Sequence, residues 1–206
     1  DNLELNTIYT YTVGDNLNGW SKSFNFKTLT IHNGVSNSMK FAIYGDYGLQ
    51  NDKSQKMLET SLSKHDFDMV LHIGDFGYNL YTNDATVGDG FMNQIQPIAS
   101  HIPYMVCPGN HEEGNNFTQY LYRFNMPSKQ SKSNTELYYS FDIGDIHITA
   151  ISSEIYYYGN DYNNDHLDRQ YNWLLNDLEN SKDSKWKIMF GHRPMYCTKI
   201  TNANPG

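Results

Sequence analysis

The chain has 206 residues, enough for one domain of moderate size with a small appendage, and its 38% hydrophobic and 15% aromatic content suffices for a packed core. A formal net charge of −8 argues against a nucleic acid or an anionic membrane surface as partner, and no apolar stretch reaches the length of a membrane span. An acidic protein can still take a phosphorylated ligand where a metal ion supplies the positive charge.

Residues 5–14 alternate in the strand manner, Gly14-Asp15-Asn16 to Gly19 is turn chemistry, and residues 20–26 alternate again. That pattern predicts one antiparallel hairpin. A lone hairpin is marginal in water, so it is expected to be the end of a larger β module. Residues 32–38 (His-Asn-Gly-Val-Ser-Asn-Ser) read as a linker. From Lys40 onward strand and helix signals alternate. Asn51-Asp52 caps a predicted helix running to about Leu62, a second spans 90–100, and a short third spans 117–124. Residues 138–152 read as a hairpin turning through Asp142-Ile143-Gly144-Asp145. A last helix runs from Asp165 or His166 to about Leu178, with Leu167, Tyr171, Leu174, Leu175 and Leu178 as a stripe expected to pack on the sheet. Alternating β and α units imply a mixed α/β fold with a largely parallel sheet covered by helices. The loop-like ending at Asn204-Pro205-Gly206 and the opening at Asp1 suggest a chain cut at both ends.

Four short apolar runs end in glycine followed at once by a polar residue able to hold a metal. Phe41-Ala42-Ile43-Tyr44 leads to Gly45-Asp46, and Met69-Val70-Leu71-His72-Ile73 leads to Gly74-Asp75. Tyr104-Met105-Val106-Cys107-Pro108 leads to Gly109-Asn110-His111, and Lys187-Ile188-Met189-Phe190 leads to Gly191-His192. Four such strands side by side would collect Asp46, Asp75, Asn110 and His192 along one sheet rim, where ligands sit in open α/β sheets. Carboxylate and amide oxygens mixed with imidazole suit iron, zinc or manganese better than calcium, which takes oxygen alone. A central aspartate can bridge two cations that clamp a phosphoryl group. Tyr78 lies within loop reach of the same site, and His111 is placed to face a substrate as proton donor. His72, inside a strand, reads as a buried hydrogen-bonding histidine. Cys107 reads as a buried thiol and Cys197 as a loop residue, with a bridge between them left open.

At these residues the sequence resembles the purple acid phosphatases of the calcineurin-like metallophosphoesterase superfamily. Gly45-Asp46-Tyr47-Gly48 matches the family's GDxG, Gly74 to Tyr78 matches GDxxY, and Gly109-Asn110-His111-Glu112 matches GNHE. Met189-Phe190-Gly191-His192 corresponds to VxxH with methionine for valine. The segments around Phe117 to Pro127 and His192 to Tyr196 are also similar, and residues 11–28 are similar to the end of the fibronectin-like domain that precedes many members. The resemblance implies a metallophosphoesterase β-sandwich flanked by helices over 39–206, preceded by the remnant of a fibronectin/Ig-like β domain over 1–31 and the linker over 32–38. It implies that Asp46 and Tyr78 bind a ferric ion and that Asp75 bridges it to a divalent iron, zinc or manganese held by Asn110 and His192. His111 would assist the leaving alcohol. The implied reaction is hydrolysis of phosphate monoesters at acidic pH by a secreted or lysosomal enzyme, a route the sequon Asn116-Phe117-Thr118 also favours. The family completes its site with GHxH, and no such motif lies between His192 and Gly206, so each ion lacks one imidazole here. A diester- or nucleotide-cleaving relative, or a non-catalytic truncated paralogue acting as a binding module, remain open alternatives.

Overall fold

The computed structural model describes residues 3–29, 31–32, 35–36, 38–157 and 164–196. Strands β1 (Ile8–Tyr11), β2 (Gly14–Asp15), β3 (Gly19–Trp20) and β4 (Phe24–Lys27) form the predicted hairpin, β1 pairing with β4 and β2 with β3, both antiparallel. Directly opposed aromatics line one face, with Tyr9 on Phe26 at 5.7 Å and Tyr11 on Phe24 at 5.6 Å between ring centroids. The Tyr11 hydroxyl donates to the Ser100 carbonyl (2.9 Å) and ties the hairpin to the rest of the molecule. Within the predicted linker, β5 (Ile31–His32) pairs antiparallel with β6 (Val35–Ser36). Its sequence accounts for the pairing: β-branched Ile31 and Val35 stand on either side of an Asn-Gly pair, which is itself a hairpin signal.

Two successive βαβ units follow: β7 (Phe41–Tyr44), α1 (Asp52–Ser63), β8 (Met69–Ile73), α2 (Thr86–Ala99) and β9 (Tyr104–Cys107). The three strands are parallel in the order β7-β8-β9, with Tyr44 opposite His72 and Ile73 opposite Cys107, so their carboxyl ends lie level. Asn51 caps α1 as expected, its Oδ1 accepting from the Ser54 N–H (3.4 Å). Helix α2 begins four residues before the predicted start. Gly88, a weak helix former, lies under the Arg123 guanidinium, which also binds Asp89 Oδ1 (2.8 Å) and the Ala85 carbonyl (3.0 Å) and so pins the first turn. Helix α3 (Gly114–Arg123) contributes Phe117 and Tyr120 to the core.

Strands β10 (Tyr139–Ile143) and β11 (Ile146–Ala150) form the second predicted hairpin. After α4 (Glu154–Tyr157) and α5 (Asn164–Asn180), β12 (Trp186–Phe190) pairs parallel to β11. The central strand β8 is covered on both faces, as its near-continuous apolar sequence requires. Met69 and Leu71 meet Tyr139, Ile148, Ala150 and Phe190 of the second sheet, while Val70 joins Phe91, Ile95, Ile98, Phe117 and Tyr120 on the helical side. The architecture is thus a mixed α/β sandwich of two three-stranded sheets with helices outside. Among the described residues no helix is long and apolar enough to cross a membrane. Cys107 is fully buried, and burial holds its thiol well above its ordinary pKa. Cys197, the other half of the open bridge, lies outside the described residues.

Helix α5 follows the predicted stripe only in part: Leu167, with Trp173, packs on the core. Tyr171 and Leu175 are 55% and 51% exposed, whereas Gln170 is fully buried and Asp177 faces the sheet. The Gln170 amide closes a pair of hydrogen bonds with the Ser152 backbone (2.9 and 3.0 Å), an end-of-strand position that no apolar side chain could satisfy. His147 on β11 sits between Asp142 Oδ1 (2.7 Å) and Asp177 Oδ2 (2.9 Å). A neutral imidazole has one N–H, so only the imidazolium donates to both carboxylates. Burial alone would lower its pKa, but the hydrogen bonds and charges of Asp177 and Asp142 outweigh burial and hold it above 6.5. A histidine whose folded pKa is raised stabilises the fold fully below its unfolded value and loses that contribution as pH rises through the folded one. The melting temperature of the protein should therefore exceed that of His147→Gln by most below pH 6.5. Thermal melts across a pH series should show this gap narrowing above that point, and a gap independent of pH would contradict the imidazolium clamp.

Candidate metal centre

Glycines at the strand ends let the two sheets meet. A Cβ on Gly74 (φ +86°) would lie 2.6 Å from the Gly109 nitrogen and 2.8 Å from His192 Nδ1, and one on Gly109 would lie 2.3 Å from Asp75 Oδ1. No side chain fits either place. Three of the four glycine-ended strands lie side by side as expected, and the fourth is corrected: β12 belongs to the other sheet. His192 reaches the rim from across the sandwich, and its Nδ1 hydrogen-bonds the Ile73 carbonyl (2.8 Å) at the end of β8. The strands that carry the cluster are therefore gathered by sheet packing as well as by sheet pairing.

The loops after β7 and β8 continue the ladder. Asp46 N–H donates to Gly74 O (3.1 Å), Tyr47 N–H to Asp75 O (3.0 Å) and Gly48 N–H to Phe76 O (2.7 Å), which puts Asp46 and Asp75 on neighbouring tracks. Asp46, Asp75 and Tyr78 have φ of +52°, +54° and +56°. Left-handed backbone is tolerable for aspartate but uncommon for a bulky tyrosine, and strain of this kind gathers at functional sites. The Tyr78 hydroxyl donates to Asp46 Oδ1 (3.2 Å). Burial and then the Asp46 carboxylate hold the phenol above its ordinary pKa; a cation in the same place would act in the opposite sense.

Asp75 is buried, and its ion-pairing neighbours are two histidines, His192 Nε2 at 3.6 Å and His111 Nε2 at 3.8 Å. His192 Nε2 also lies 3.2 Å from Asn110 Oδ1. With Nδ1–H given to Ile73, Nε2 of a neutral His192 is a lone pair facing an amide oxygen and a carboxylate oxygen. Three acceptors turned on one point suit a cation, and an Nδ1–H fixed by a carbonyl is the usual support of a metal-binding imidazole. Among the described residues no three His, Cys, Asp or Glu side chains form a chelating group by themselves, so the set depends on Tyr78 and Asn110 as well. With those two counted, Asp46 and Tyr78 form one contact and Asn110 and His192 another, with Asp75 beside His192. All five sequence-predicted ligands and His111 fall in this one region. His72 does not; it is fully buried on β8, bonded through Nδ1 to the Tyr104 hydroxyl (2.9 Å), and burial first and His192 second depress its pKa to about 3.

One residue of the site was not visible as functional in the sequence. Glu112 is buried, and its carboxylate accepts three backbone N–H groups, from Asp75 (2.8 Å), Phe76 (3.0 Å) and Gly109 (2.9 Å). It ties the loop carrying Asp75 to the loop carrying Asn110. Burial pushes its pKa to about 7 against the pull of those three donors. Its place in GNHE was the signal available, but nothing in that pattern says that it binds backbone.

Residues 39–205 match the Calcineurin-like phosphoesterase family. The chain belongs to that family. As a phosphoesterase-family chain it is similar to acid phosphatase type 7 of Danio rerio (45% identity over 197 residues, 92% of this chain and 43% of that protein). Its similarity to acid phosphatase type 7 of Mus musculus is 42% over 200 residues, 95% of this chain and 44% of that protein. Among solved structures it superposes on the purple acid phosphatase PPD1 from yellow lupin (Lupinus luteus) seeds, with a TM-score of 0.71 and 26% identity, covering 93% of this chain and 37% of that one. The chain thus spans less than half the length of these relatives.

Proposed function

We propose that this chain belongs to the catalytic domain of a purple acid phosphatase, which hydrolyses phosphate monoesters at acidic pH through an Fe(III) ion paired with divalent iron, zinc or manganese. The observation that carries the reading is the convergence of Asp46, Asp75, Tyr78, Asn110 and His192, with the lone pair of His192 Nε2 turned toward Asn110 and Asp75. Asp46 and Tyr78 would hold the ferric ion, Asn110 and His192 the divalent one, and Asp75 both. Bound there, the ions would supply the positive charge that an acidic chain otherwise lacks for phosphate. The similarity to acid phosphatases type 7 supports the monoester reaction. His111, partly exposed with Nε2 toward Asp75, is the proton donor to the leaving alcohol. Residues 1–31 are read as the last hairpin of a fibronectin-like domain, and residues 39–206 as the catalytic unit. An exposed Asn116 in its sequon supports a glycosylated, secreted or lysosomal protein.

The test is elemental analysis joined to a substrate assay. Supplied with the Gly-His-x-His histidines that the family's site needs, the protein is expected to carry close to two metal ions and to cleave an aryl phosphate, and Asp75→Asn in it should lose both properties, because the one residue shared by both ions is gone. Unchanged metal content in Asp75→Asn would remove Asp75 from this role.

A further inference from the structure

Two consecutive left-handed residues follow the Asp75 loop, Tyr78 (φ +56°) and Asn79 (φ +55°). The first sends its side chain to Asp46 and the second sends its own to His111, Asn79 Oδ1 lying 2.9 Å from His111 Nδ1. The His111 ring is also held edge-on against the Tyr78 ring, 4.5 Å between centroids, and its backbone N–H donates to Asp75 Oδ1 (3.1 Å). Its other ring nitrogen, Nε2, points into the cluster, 3.8 Å from Asp75 Oδ2.

We propose that Asn79 is the positioning residue of His111: its amide oxygen accepts the Nδ1–H and so makes Nε2 the atom that hands a proton to the departing alcohol. This rests on the phosphatase reading above. An imidazolium needs an acceptor on each nitrogen, and a buried or half-buried ring left without one on Nδ1 turns to find it. An amide oxygen supplies that acceptor without adding a negative charge. Swinging Nε2 by an ångström is enough to cost a large part of proton-transfer catalysis, which is itself worth about a hundredfold or more. In the step served, the ester P–O bond breaks as a water oxygen bonds to phosphorus. The proton on His111 Nε2 passes to the leaving alkoxide oxygen, the water's proton goes to solvent, and the imidazole is reprotonated from solvent.

Leaving groups decide the matter, because a dinitrophenolate departs without a proton and an alkoxide does not. In the metal-loaded protein, Asn79→Leu should lower the ratio of kcat on glycerol phosphate to kcat on 2,4-dinitrophenyl phosphate by about tenfold or more. Asn79→Asp keeps an acceptor oxygen and should restore most of it, and His111→Ala with Asn79→Leu should do no worse than His111→Ala alone. Equal losses on both substrates, or none on either, would overturn the assignment. Nitrogen NMR of histidine in the metal-free protein gives a second reading independent of turnover: Nδ1 of His111 is expected to carry the proton in the parent and to lose that fixed form in Asn79→Leu. A His111 signal indifferent to Asn79 rejects the positioning role even if the protein hydrolyses neither ester, an outcome that would count separately against the phosphatase reading.

Discussion

Arg193→Met is expected to cost the fold about 3–5 kcal/mol, the scale for removing one partner of a buried ion pair. Glu154 at the start of α4 is fully buried, and the Arg193 guanidinium meets it through Nε to Oε1 (3.0 Å) and Oε2 (3.1 Å) and through Nη2 to Oε2 (3.0 Å). The same guanidinium covers the Tyr157 ring at 4.1 Å, and the Arg193 backbone N–H donates to Ser153 Oγ (3.1 Å). Without the arginine, a carboxylate is stranded where water does not reach. The loss should show as a shifted midpoint in denaturant unfolding. A charged pair replaced as a pair is often close to neutral, so adding Glu154→Leu to Arg193→Met should recover much of the loss. Because Arg193 directly follows His192, the single variant should also bind metal more weakly. A single variant as stable as the parent would show that the pair is not what holds the β12 loop against α4.

How much of this was legible beforehand follows from the kind of interaction involved. Asp46, Asp75, Asn110 and His192 could be read because each directly follows a glycine at the end of an apolar run, a local pattern. Strand β8 could be read for the same reason, its buried faces being written into consecutive residues. What pairs with what across the sandwich could not. That His192 comes from the other sheet depends on Met69 and Leu71 meeting Ile148 and Phe190, and no periodicity encodes such a contact. The α5 stripe held only in part: Leu167, with Trp173, packs on the core, but apolar spacing counts leucines and so passed over Gln170 and Asp177, whose burial is offset by partners on β11 and at Ser152. Glu154 and Arg193 escaped for a similar reason: thirty-nine residues apart, each reads alone as an ordinary surface charge.

Glu112→Gln is the second change expected to have a large effect, although it alters a single atom. Glu112 Oε2 accepts from both Asp75 and Gly109, and Oε1 accepts from Phe76. An amide placed with its oxygen at the Oε2 position turns an NH₂ group toward the Phe76 N–H; flipped, it turns that group toward Asp75 and Gly109 together. Either way at least one buried donor faces another donor. An unsatisfied buried donor costs about 1–3 kcal/mol, and the remaining bonds lose the strengthening that the carboxylate charge gives them. The cost should fall on the site, because the amides involved belong to Asp75 itself and to the glycine before Asn110. Faster hydrogen exchange at the Asp75, Phe76 and Gly109 amides, a lowered unfolding midpoint and weaker metal binding are expected together. If exchange at those three amides stays at the parent rate while global stability drops, Glu112 serves the core in general, and its proposed hold on the two metal-bearing loops fails.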